Sequence, residues 1–446
     1  MPHGNPLKKF LKTSIPAVID LSSQTIFFTV EAIFIGRLST AAFAGRGLAI
    51  QVIIASLSVL ITFIVGGSLI IARHIGAEQR REANHVFSQA IMISVVISFV
   101  FAIAWYFGGV YLFKLIEEGG SVAAQRAGIS YLRLIAMFAP IIIINLVAVG
   151  CIRGAGDTHI SMIINVVING LNIILSPLLI FGWFGFPRWE IEGAAIAVGI
   201  SHSVGFLLTF YILRTRKSVL FLPFREVSRP NFKTFKRLLS TGIPTTVEQL
   251  AWALGLLVVS IYAARLGQEY LAAHMVFYTL YQVLSMAYLG LSLGAMTLMG
   301  QHLGAEKQEL AERTAKTTAY VGFIFAVIVA TLMIIYSKTI LYVFTPENDV
   351  ISAGYLTMII FAIIQIPKAV DSVLIGNLRG AGDLKWIMYM TLAGVITLEI
   401  CFNWVVAFVF HWGIAGLWGV HLIDEIIRLA LNYWRFKGGR WKTMKV

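Results

Sequence analysis

Asp20, Gln24 and Glu31 stand in a stretch, residues 14–36 (SIPAVIDLSSQTIFFTVEAIFIG), that is otherwise apolar and carries Pro16 near its start. About 20 apolar residues suffice to cross a bilayer as a helix, so the stretch reads as a membrane span. At about 100° per residue, the step from Asp20 to Glu31 returns to within roughly 20° of its starting direction, and Gln24 lies about 40° away. The three polar groups therefore form one stripe on one helix face. A carboxylate inside a membrane costs several kcal/mol, of order 3, and faces a cavity, a partner or an ion path. Desolvation favours the neutral form of an acid, and this lets a buried carboxyl exchange a proton near neutral pH. The chemistry this predicts is proton or cation exchange.

A second stripe lies in a later apolar stretch, where Asn165, Asn169, Asn172 and Ser176 fall within about 40° of one another on a helical wheel. Their amides donate and accept, and so suit either a carboxyl partner across the bundle, Asp20 or Glu31, or hydrogen bonds that hold packed spans together. The second half of the chain adds Glu248, Asp371 and Glu399. Lys368 precedes Asp371 by three residues, a spacing for an ion pair. Asp424, Glu425 and Arg428 suit a structural pair on one span. Tyr278 and Met286, on a stretch rich in Met and Tyr, offer either an adaptable apolar surface or plain packing.

These residues must be positioned by membrane helices. The chain has 446 residues, 58% hydrophobic and 13% charged, with a mean hydropathy of +0.82. Soluble domains carry about a quarter charged residues, so the fold class is an all-α polytopic membrane protein. Twelve apolar stretches follow, near residues 13–36, 47–71, 87–113, 130–151, 159–184, 191–212, 239–263, 271–299, 314–336, 351–377, 386–410 and 413–434, each end good to about four residues. An even number puts both termini on one side. Most of the 35 Lys and Arg then fall on the side of the termini, which the positive-inside rule makes the cytoplasm. The formal charge of +13 is thus a topology signal, lying against lipid headgroups, and no nucleic-acid partner is expected. Two cysteines, Cys151 and Cys401, form no disulfide framework, and the histidines show no metal spacing. No enzyme, metal or cofactor is expected, and with no nucleotide-hydrolysis motif any transport draws on an ion gradient.

The chain repeats itself. A shift of 228 residues sets Ile15-Pro16 on Ile243-Pro244, Asp20 on Glu248, Arg37-Leu38 on Arg265-Leu266, Gly66 on Gly294 and the HIGAE run at His74 on the HLGAE run at His302. A shift of 226 sets RGAGD at Arg153 on RGAGD at Arg379. Glu31 falls on Val259 and has no echo. The twin RGAGD runs lack the lysine and strand of a phosphate loop, and their Arg and Asp are expected to pin a short turn. Each half holds six spans, as in parallel-repeat transporters. Two pseudo-symmetric six-helix lobes, 1–212 and 239–446, follow, joined by a cytoplasmic linker, 213–238.

The Ile-Pro opening, the IGRL that ends span one, the paired H-[IL]-G-A-E and RGAGD runs and the twelve-span duplication resemble the multidrug and toxic compound extrusion (MATE) family, with similarity to its DinF-type branch. The resemblance spans essentially the whole chain. It implies a monomeric, cation-coupled antiporter in the cell membrane that expels small amphipathic, often cationic drugs by alternating access. It also implies proton coupling at a first-span carboxylate, the usual family acid matching Glu31, and a helix bend at Pro16. Sodium-coupled members resemble this chain at Asp371, although their second-lobe glutamate lies deeper than Glu248, so sodium coupling through second-lobe acids is the alternative. A lipid-linked precursor flippase of the wider superfamily is a more distant one. Many relatives carry Asp in span five where this chain has Ser176. Asp20 or Glu31, alone or together, is therefore left to carry the coupling.

Overall fold

With no water to satisfy backbone groups inside a bilayer, a long apolar stretch must close its own hydrogen bonds as helix. The computed structural model, which describes residues 5–116, 122–222, 229–344 and 348–444, is built accordingly. In order come α1 (Pro6–Gly36), α2 (Thr40–Gly76), α3 (Arg80–Ile103), α4 (Gly109–Ile116), α5 (Val122–Gly154), α6 (Thr158–Phe181) and α7 (Glu190–Arg214). The second half gives α8 (Phe232–Leu266), α9 (Gln268–Gly304), α10 (Gln308–Ile335), α11 (Ser337–Phe344), α12 (Asn348–Gly380), α13 (Leu384–Gly394), α14 (Asn403–Phe408) and α15 (Gly413–Lys437). A π-helical turn, Ala104–Gly108, joins α3 to α4, and a longer π-helical stretch, Val395–Phe402, joins α13 to α14.

Among the described residues, eleven helical spans are long and apolar enough to cross a membrane. The twelfth, α15, has the length but carries Asp424, Glu425 and Arg428 at its centre. Several helices end in basic residues, Arg73 and His74 on α2, Arg153 on α5 and Arg435 and Lys437 on α15, which complement the negative end of the helix dipole. Ile26, Phe99, Leu207, Leu254 and Ile335 are exposed, as lipid-facing side chains should be.

By packing, the described chain divides into two compact units. One is Ile19–Gly242; the other joins the residues up to Val18 to Ile243–Val446. The division falls two residues beyond Pro16 and one before Pro244, so the duplicated helices α1 and α8 each change unit at their duplicated proline. In the second unit Phe10 is fully buried among Leu291, Ala295, Leu298 and Val373. In the first unit Leu238 and Gly242 pack on α2: a Cβ on Gly242 would lie 1.8 Å from the Thr62 carbonyl oxygen, and one on Gly66 would lie 2.6 Å from that of Leu238. Ser14 against Gly294 repeats this contact in the second unit. Small residues let membrane helices approach closely where the apolar effect gives no drive.

Within the first unit α5 packs against α2, α3 and α7, and α6 against α7; within the second, α12 packs against α9, α10 and α15. The duplication reaches the backbone. Glu78 (φ 61°) and Glu306 (φ 57°) turn through the left-handed region at matched positions, as do Gly156 (φ 100°) and Gly382 (φ 89°) in the RGAGD runs. The two glycines are needed there because a Cβ makes that conformation costly.

Candidate functional site

α1 carries its acids into two separate networks. Asp20 is fully buried and accepts from Arg153 Nη2 at 2.7 Å, Ser161 Oγ at 3.2 Å and Asn165 Nδ2 at 2.6 Å. α5 supplies the arginine from its last turn, and α6 supplies the serine and the asparagine. One helical turn on, Asn169 Nδ2 donates to Ser23 Oγ at 2.9 Å. Asn172 instead accepts from Ser176 Oγ at 2.8 Å, and its buried Nδ2 has no partner. The asparagine stripe is therefore divided: its first half meets α1 and its second half pairs with itself. Gln24 is half-buried and joins neither acid through a hydrogen bond.

Glu31 lies eleven residues further along α1, a rise of about 16 Å. It is buried, forms an ion pair with Arg46 Nη2 of α2 and accepts from the Tyr131 hydroxyl of α5 at 3.3 Å. Arg46 is itself buried, and its Nε has no partner. Sequence reasoning missed both partners of Glu31. It began the second span at residue 47 and so left Arg46 in a loop, whereas α2 begins at Thr40 and buries Arg46 in its second turn. Nothing in the pattern of α5 singles out Tyr131.

The repeat separates the two networks. Glu248, which matches Asp20, accepts from Arg379 Nη2 at 2.6 and 2.8 Å, and Arg379 matches Arg153. Each first-repeat helix is thus tied to the arginine of its own unit's RGAGD run. This corrects the expectation that these arginines pin their turns. The turns are held by their aspartates: Asp157 accepts from Ser218 Oγ and the Val219 amide, and Asp383 from Arg435. The Glu31 network has no second copy, because Val259, His274 and Ile359 stand 228 residues after Glu31, Arg46 and Tyr131.

In the second unit Asp371 does not pair with Lys368, as spacing suggested. It accepts from Asn432 Nδ2 at 2.9 Å, while Lys368 reaches across to Glu425 Oε1 at 2.6 Å. Arg428 and Asp424 do form the expected pair, at 2.6 Å. Trp252 lies under both Lys368 and Arg428, its ring centroid 4.4 and 4.3 Å from their cationic groups. Tyr278 accepts from Gln282, and Met286 is half-buried on α9; neither touches an acid. Among the described residues, Glu399, His421 and Asp424 bring potential donor atoms within 4.8 Å of one another. Glu399 and His421 meet directly through a hydrogen bond at Nδ1, and a proton there leaves no room between them for a metal.

The MatE family model matches residues 16–178 and again residues 244–405, one match in each half. The multidrug resistance protein NorM of Thermotoga maritima is 26% identical over 98% of this chain and 94% of its own. That of Pasteurella multocida is 28% identical over 86% of this chain and 83% of its own. Among solved structures, a MOP superfamily transporter from Pyrococcus furiosus superposes with a TM-score of 0.89 at 22% identity, covering 99% of this chain and 98% of that one. An outward-facing multidrug resistance MATE transporter superposes with a TM-score of 0.88 at 22% identity over the same shares.

Proposed function

The chain belongs to the MatE family, and from that premise we propose that it is a cell-membrane antiporter that exports small amphipathic organic cations in exchange for protons, with Glu31 as the coupling acid. One observation carries the choice of residue. Asp20 and Glu248 are the same ion pair built twice, each closed by an RGAGD arginine, whereas the pairing of Glu31 with Arg46 and Tyr131 exists once. A tie made in both repeats serves the common scaffold. Coupling needs a group whose charge can change.

Arg46 supplies the reason a change at Glu31 moves the protein. A buried ion pair broken by loss of one charge leaves the other uncompensated, at about 3–5 kcal/mol. A proton on Glu31 therefore drives Arg46 to leave or find another partner, and its unpartnered Nε leaves it incompletely held. An organic cation arriving at the carboxylate competes with Arg46 for the same oxygens. Proton and substrate each neutralise Glu31, and only one can do so at a time. Their exclusion, biased between two conformations of the helices, gives exchange across the membrane. In this reading both termini are cytoplasmic.

The test is efflux of a fluorescent organic cation from proteoliposomes under imposed proton or sodium gradients. Glu31→Gln should abolish proton-driven efflux, and Glu31→Asp should keep part of it. Proton-driven efflux that survives Glu31→Gln, or wild-type efflux that follows a sodium gradient at clamped pH, refutes the proposal.

A further inference from the structure

The scaffold pairing accounts for Glu248 but leaves a buried cluster in the second unit that the mechanism does not use. α12 contributes Lys368 and Asp371, the π-helical stretch contributes Glu399, and α15 contributes His421, Asp424, Glu425 and Arg428. α8 contributes Trp252, and α9 contributes His274 and Tyr281, whose rings complete the wall around the His421 imidazole. The four carboxylates are each 3% exposed or less. Against them stand two obligate cations, Lys368, tied to Glu425, and Arg428, tied to Asp424 and to Thr391 Oγ1. The cluster is thus two positive charges short, and isolated buried charge is strongly disfavoured.

Three unpartnered atoms mark where the missing charge belongs. His421 Nδ1 is engaged with Glu399, whose other oxygen accepts from Asn403 at 3.1 Å. Its Nε2 is buried with no hydrogen bond and faces Glu425 Oε1 at 3.7 Å. Asp424 Oδ1 and Glu425 Oε2 are likewise buried and unpartnered. Three acceptors gathered without a donor repel one another, and protons turn the same atoms into donors. Glu399 itself sits in a π-helical stretch, a geometry that recurs at functional sites because it costs stability elsewhere.

We propose that this cluster is a second proton-binding site, holding two exchangeable protons, one on the His421 imidazole and one shared by the Asp424 and Glu425 carboxyls. With both protons bound the cluster is neutral. Their loss leaves two negative charges inside the second unit, which an organic cation can balance; this last step rests on the antiport reading above, and the site itself does not. The two protons titrate as a unit, because each carboxyl feels the others and His421 directly.

Infrared difference spectroscopy on the full chain in lipid, across a pH jump, reads both groups. The expected spectrum holds a buried carboxylic-acid carbonyl band that Glu425→Gln or Asp424→Asn removes, and an imidazolium band that His421→Gln removes. His421→Gln should also shift the surviving carbonyl band, which a histidine of purely structural role would not do. Each variant reports separately, so one that fails to fold leaves the others to decide. Variants that leave the carbonyl region as in the wild type overturn the proposal. So does a carbonyl band that disappears in sodium chloride and returns in choline chloride, which assigns the site to sodium. Glu31→Gln should remove a different band; its failure to do so counts against Glu31 and leaves the cluster standing.

Discussion

Changing Asp20 to asparagine keeps the shape of the side chain and removes its charge. The carboxylate accepts three hydrogen bonds, one from a guanidinium. The amide has one oxygen and one NH2 group, so whichever way it is turned at least one donor faces another. The larger loss is at Arg153, whose side chain is 14% exposed and is left charged without its partner. Removing one member of a buried pair costs about 3–5 kcal/mol, and the residual exposure of Arg153 puts the loss near the lower end, about 3 kcal/mol. Glu248→Gln meets the same situation at Arg379, 10% exposed, and should cost a similar amount. Replacing both members by neutral side chains, Asp20→Asn with Arg153→Met, removes the stranded charge, and such exchanges are often near neutral. The coupling between the two positions should therefore be about 2–3 kcal/mol, the upper part of the range for residues in one network. Unfolding in micelles, followed through a double-mutant cycle, measures it. Additive losses would refute the pairing as a unit. A well-folded double variant that has lost proton-driven efflux would refute the scaffold role and return the coupling to Asp20.

Close helix approach at the duplicated glycines gives a second expectation. Gly242→Val places a Cβ against the Thr62 carbonyl and should lower thermal stability by about 1–3 kcal/mol or more, which a melting curve in micelles reads directly. Gly419→Ala, where no atom lies within 4 Å of the new Cβ, should stay close to wild type in the same assay. The strained turns give a third. Glu78→Gly relieves a left-handed conformation worth roughly 1–2 kcal/mol and offsets it against roughly 0.5–1 kcal/mol of added chain entropy, so its melting temperature should equal or exceed that of the wild type, while Glu78→Val should fall below both.

Hydropathy, the repeat and the placement of polar groups in apolar stretches were all legible along the chain, because each is a matter of composition or spacing. They gave the all-α membrane class and the family resemblance, and they singled out Asp20, Glu31, Asn165 and Asn169 as residues to watch. Ser176 and Asn172 sit on the same stripe but pair with each other, since the stripe is longer than its contact with α1. Side-chain partners were not legible. Lys368 is three residues from Asp371, yet it bonds Glu425, 57 residues away, because α12 and α15 lie side by side and the nearer spacing is only one of the options packing offers. Arg153 and Arg379 looked like turn residues, because a sequence shows only their neighbours along the chain. His421 carried no spacing signal at all, its surroundings being drawn from α8, α9, α12 and the π-helical stretch. The stripe on the first helix was therefore a one-dimensional fact: helical periodicity alone aligned Asp20 with Glu31. Which acid is fastened to the scaffold and which to a single-copy arginine was decided by the helices that fold against it, through contacts more than a hundred residues apart in the one case and fifteen in the other.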